Sequence, residues 1–79
     1  MRVHLSQQVL KLWYQLGEEG VELRQALEGL KQNPVPEWAR AVEGYESLYE
    51  FPIAGYWIIY QIKQVGGETV IVVSAIEGN

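Results

Sequence analysis

The apolar pattern of this chain changes period once, at Asn33-Pro34-Val35-Pro36, and that switch constrains the fold more than any other feature. Before it, Val9, Leu12, Trp13 and Leu16 recur at the i, i+3, i+4, i+7 spacing of one helical stripe. Leu23, Ala26, Leu27 and Leu30 form a second stripe of the same kind. After it, apolar residues alternate with the period of a half-buried strand. The prolines lack a backbone donor and stop any helix from running through. Helices therefore come first, and a sheet follows.

Local signals punctuate these stretches. Arg2 to Leu5 alternates as a short strand, and the Ser6 hydroxyl is placed to cap the helix that follows. Gly17 ends that helix, and a second helix is predicted from about Glu18 to Gln32, weakened at Gly20 and Gly29. Trp38, Arg40 and Val42 are expected to share one face of a strand, before a turn at Gly44-Tyr45-Glu46-Ser47. Leu48 to Ile53 reads as the next strand, in which Pro52 calls for a bulge or an outward-facing amide. Ala54-Gly55 closes a hairpin into Tyr56 to Gln64, and Gly66-Gly67 turns the chain into Glu68 to Ile76. Val70 to Val73 is apolar on both faces, as in a central, covered strand.

The pattern predicts a single α+β domain over residues 1–79, of order β-α-α-β-β-β. A helical hairpin packs on a mainly antiparallel four-stranded sheet. Tyr56, Ile58, Tyr60 and Ile62 are expected to face the hairpin, packing on Leu12, Leu16, Leu27 and Leu30. Trp57 and Ile59 then fall on the other side, where no further helix is available to cover them, as a fully exposed pair. Such a pair marks a protein-contact surface.

Composition narrows the chemistry. The chain holds no cysteine, which excludes disulfides and thiolate metal sites. A core of this size needs good packing or a partner for its stability. The net charge is −4, and the six basic residues Arg2, Lys11, Arg24, Lys31, Arg40 and Lys63 stand singly, which argues against a nucleic-acid partner. His4 is the sole histidine and reads as a surface or edge-strand residue, so no metal site is expected. Glu43, Glu46 and Glu50 bracket one turn and read as solvated charges. The N-terminus lacks the apolar centre of a signal peptide, and no stretch approaches the length of a membrane span, so a cytoplasmic location is expected.

The element order, with Leu48-Tyr49, Gly55-Tyr56 and Ile58-Ile59-Tyr60 in sequence, resembles the RelE/ParE toxin family of toxin–antitoxin systems. The resemblance implies messenger RNA cleavage on the ribosome and basic residues along the later strands. This chain departs from that pattern. Glu50 follows Leu48-Tyr49, Pro52 stands at another commonly basic position, and Trp57 replaces the arginine after the hairpin tyrosine. Glu77-Gly78 takes the place of a basic pair, and the sequence reaches Asn79 without the C-terminal tyrosine of some members.

Attack by a 2′-hydroxyl needs a base for that hydroxyl and cations for the charge growing on the phosphate. With those positions acidic or apolar, no catalytic residue is assigned, no cofactor is expected, and the reading leans against an enzyme. The resemblance implies a protein partner, either an antitoxin-like segment or a second copy, and the contact residues are assigned as Trp57 and Ile59. Two alternatives stay open. One is an active ribonuclease toxin using Lys31, Arg40 and Lys63 with Tyr45 or Tyr49. The other is an adaptor domain that kept only the fold.

Overall fold

The structure is a computed structural model that describes residues 2–53 and 55–78. In chain order the elements are β1 (Arg2–Leu5), α1 (Gln7–Leu16), α2 (Glu19–Gln32), β2 (Arg40–Ala41), β3 (Leu48–Ile53), β4 (Tyr56–Val65) and β5 (Glu68–Gly78). They build one sheet of order β1-β5-β4-β3-β2. β1 runs parallel to β5, and the other three pairings are antiparallel. β5 is thus a central strand, as its two-faced apolar run requires.

The α+β order is as expected, but the sheet has five strands instead of four. The added strand, β2, is a two-residue edge piece, and the expected strand through Trp38, Arg40 and Val42 shrinks to it. A turn causes the shortening, because the Ala39 amide donates back to the Pro36 carbonyl at 3.0 Å. That turn also removes Trp38 from the alternation. Its ring packs edge-on against buried Phe51, with centroids 4.8 Å apart, whereas Arg40 pairs with Glu50 on the opposite face. Trp38 and Arg40 therefore do not share a face.

The helix boundaries follow their signals. Ser6 accepts a hydrogen bond from the Val9 amide at 3.2 Å, which satisfies one of the unpaired donors of the first turn. Gly17 ends α1 at φ +60°, a conformation that other residues adopt only with strain. The expected Ala54-Gly55 turn falls in part on Ala54, which lies outside the described residues, as does Asn79.

Both helices cover one face of the sheet. Val9, Leu23, Leu27 and Leu30 meet Phe51, Ile58, Tyr60, Ile71, Val73 and Ile76 in one buried cluster, flanked by half-buried Leu12, Leu16, Tyr56 and Ile62. Ile58 and Tyr60 are fully buried there, so β4 presents the expected face to the hairpin.

A bulge reconciles this face with the sequence of β5. Tyr60 pairs with Val73 and Ile59 with Ala75, which leaves Ser74 as the extra residue. The parity of inward positions then shifts from Ile71 and Val73 to Ile76. The Ser74 hydroxyl donates to the Ile59 carbonyl at 3.3 Å, supplying a partner where the ladder is interrupted. No helix among the described residues is long and apolar enough to cross a membrane.

Candidate functional site

The strand register places a second set of side chains on the face away from the helices. Pro52, Trp57 and Glu77 form one row across β3, β4 and β5. Arg40, Glu50, Ile59 and Ala75 form the next, across β2 to β5. Leu48, Gln61, Val72 and His4 make the third row, Lys63, Val70 and Arg2 the fourth, and Val65 and Glu68 the last. None of these residues belongs to the main buried cluster. Val70 is nevertheless only 7% exposed, because β5 is flanked on both sides.

Of the residues at which the sequence is expected to depart from the resemblance, Gly78 pairs with Tyr56 and falls on the helix side, whereas Glu50, Pro52, Trp57 and Glu77 converge. They occupy two adjacent rows at one end of this face, and all four are turned away from the helices. Alternation along each strand puts them there.

Trp57 and Ile59 lie on this open face as expected, but they are half-buried and not the fully exposed pair that the sequence implied. Arg40 covers part of Trp57. Its guanidinium carbon stands 5.0 Å from the centroid of the Trp57 ring, within cation–π range. Glu50 holds the guanidinium in place, with one carboxylate oxygen 2.7 Å from Nε and 2.7 Å from Nη2. The Glu50 side chain is 22% exposed and that of Arg40 is 69% exposed. A residue from the edge strand thus roofs the tryptophan. Sequence reasoning missed the pairing of Arg40 with Glu50 across the loop between β2 and β3.

The cation and tyrosine set of the active-toxin alternative does not gather at one place. Lys31 is on α2, bonded to Glu28 at 3.2 Å. Tyr49 points to the helix side, stacked on Tyr60 with centroids 5.6 Å apart. Arg40 and Lys63 share the open face but lie two rows apart, and Tyr45 is a loop residue, 68% exposed. His4 sits exposed on edge strand β1, and Glu43 and Glu46 are exposed in the loop before β3. Among the described residues no group of three His, Cys, Asp or Glu side chains is arranged to hold a metal ion.

Tyr60 has a strongly displaced titration. Burial pushes its phenol from 10.0 to about 12, with neighbouring Tyr49 adding to the rise. Its hydroxyl donates to the Pro34 carbonyl at 2.7 Å, so its part is structural.

A separate groove of about 560 Å³ runs between α1, α2 and β1, lined by Leu5, Leu10, Trp13, Tyr14 and Leu27 among others. Sequence reasoning passed over it. Leu10 and Tyr14, apolar at i and i+4 yet off the core stripe of α1, were the available signal.

Two helices on one face of this five-stranded mixed sheet, with the other face open, make the fold of RelE/ParE-type toxins. A YoeB/ParE toxin from Agrobacterium tumefaciens superimposes with a TM-score of 0.80 over 100% of this chain and 99% of its own, at 11% identity. The isolated RelE toxin of E. coli superimposes with a TM-score of 0.78 over 96% of this chain and 81% of its own, at 22% identity. No family model and no curated protein matches the sequence. At these identities the likeness is one of fold.

Proposed function

We propose that this chain is a cytosolic toxin-like protein of a toxin–antitoxin system, acting through protein contact on its open sheet face without cutting RNA. Its fold is shared with the two toxins above, and the proposed partner is an antitoxin-like protein segment or a second copy. One observation carries the reading. Glu50, Pro52, Trp57 and Glu77 stand together where a phosphate-binding surface would need cations. The one guanidinium beside them, that of Arg40, is already engaged by Glu50 and Trp57. This end of the face repels a phosphate and offers apolar area to a protein. Trp57 and Ile59 are its anchors, and tryptophan is the residue type most enriched where binding energy concentrates.

Two measurements test this. Primer extension on a message translated in the presence of the purified protein is expected to show no new cuts. Codon-specific cuts abolished by Arg40→Ala would replace this reading with that of an active ribonuclease. Trp57→Ser is expected to leave the far-ultraviolet spectrum of the isolated chain intact while weakening association with its protein partner by on the order of 2 kcal/mol or more. Unfolding of a strictly monomeric Trp57→Ser chain would instead assign that residue to the core.

A further inference from the structure

The open face has a charge pattern that complements itself. At one end lie Arg2, Lys63 and Glu68, two cations against one carboxylate, with Arg2 and Glu68 bridged at 3.3 Å. At the other end lie Glu50, Glu77 and Arg40, two carboxylates against one cation. Between them lie the apolar residues Leu48, Ile59, Val72 and Ala75, interrupted by Gln61 and edged by His4. The six charges of the face sum to zero, three basic and three acidic. The other three basic and seven acidic residues of the chain carry its entire net charge of −4.

From this we infer that the occupant of the open face is a second copy of the same chain, packed sheet to sheet about a two-fold axis running across the strands. The inference rests on the reading of that face as a protein-contact surface. A two-fold axis in this direction reverses the strand direction between copies. It brings Glu77 of each copy over Val70 of the other, between Lys63 and Arg2, and Ala75 meets Val72 at the centre with Ile59 beside them. Such an isologous contact needs a self-complementary patch, and this face has one. A basic segment is the poorer fit, because it would gain at the acidic end and be repelled at the other. Face-to-face packing also turns the net negative charge of both copies outward.

The size of the face sets the expected strength. From Trp57 to Lys63 is about 20 Å along the strand, and five strands span about 19 Å. The resulting projected area of about 400 Å² per copy is a small footprint, so a weak dimer is expected.

Sedimentation velocity over a range of about 1 to 300 µM tests the inference, with circular dichroism verifying that each variant is folded. The chain is expected to pass from monomer to dimer. Lys63→Glu and Glu77→Lys should each weaken the dimer about ten-fold, and the double reversal should recover most of that loss. Ile59→Arg should abolish it, and Trp57→Ser serves in its place if that variant fails to fold. A chain monomeric throughout, yet binding an antitoxin-like protein in a Trp57-dependent way, would overturn the second copy and leave the contact surface standing. A dimer indifferent to Ile59, Trp57 and both charge reversals would overturn this inference and the proposed contact surface together.

Discussion

The Tyr60 hydroxyl donates to the Pro34 carbonyl across 2.7 Å, linking the middle of β4 to the loop that leaves α2. The two residues are 26 apart in sequence, and the bond fixes how the proline segment crosses from helix to sheet. Asn33 supports the same segment by accepting from the Val35 amide at 3.3 Å. Around Tyr60, the rings of Phe51 and Tyr49 complete an aromatic group, to which Trp38 adds its edge through Phe51.

Replacing Tyr60 with Phe should keep the ring packing and strand the Pro34 carbonyl, at a cost of roughly 1–2 kcal/mol. The variant should also lose a pH dependence. Below about pH 10 the phenol is neutral in both folded and unfolded chains, and its contribution is complete. Between 10.0 and about 12 the unfolded chain releases the proton while the folded chain keeps it, so stability falls as pH rises. The decline is on the order of 2–3 kcal/mol. Urea denaturation at pH 8 and pH 11 should show a wild-type loss that is largely missing in Tyr60→Phe. Equal losses in the two proteins would rule out the raised phenol as its source.

Two glycines of α2 should respond in opposite directions to the same substitution. A methyl group on Gly29 meets nothing within 4 Å, so Gly29→Ala should gain about 0.5–1 kcal/mol from helix propensity. On Gly20 it would stand 3.0 Å from Nε1 and 3.1 Å from Cδ1 of Trp13. The indole packs at the edge of the core, so Gly20→Ala must displace it and should lower the melting temperature. A rise of equal size in both variants would mean that Trp13 yields freely.

Much of this architecture was legible from sequence because its signals are periodic. The stripes of α1 and α2, the alternation of β4 and the caps at Ser6 and Gly17 each depend on residues within a few positions of one another. What escaped depends on distant parts meeting. β2 exists only because Arg40 and Ala41 find Glu50 and Tyr49 across a loop. The Ser74 bulge is invisible in a run apolar on both faces, since Val70 to Val73 fits either parity. The cover over Trp57 likewise needs Arg40, which is 17 residues away and on another strand. Sequence therefore gave the correct face for Trp57 and Ile59 but the wrong degree of exposure.

Ile58 offers the plainest measure of the helix-to-sheet core. It is fully buried in the cluster that joins Leu27 and Leu30 to Val73. Ile58→Ala should cost roughly 2–5 kcal/mol, much of the stability of a domain this small. Ile59→Ala, one residue along but on the open face, should cost clearly less in the monomer. Comparable losses in dilute denaturant titrations would mean that both faces of β4 are packed to the same degree.

Arg40 should govern how much of Trp57 meets solvent. Its guanidinium stacks over the indole at 5.0 Å and is held by Glu50 at 2.7 Å. Because the Arg40 side chain is itself 69% exposed, its loss should cost the fold less than about 1 kcal/mol. The optical consequence should be larger. Arg40→Ala uncovers the ring, so emission should shift to the red and acrylamide quenching should increase. Glu50→Gln, which loosens the guanidinium without removing it, should produce a smaller change in the same direction. Trp13 and Trp38 also emit, so each measurement is taken as a difference against the same variant carrying Trp57→Phe. If Arg40→Ala leaves that difference unchanged, the guanidinium does not shelter Trp57 in solution. A partner would then meet a bare indole instead of one it must first uncover.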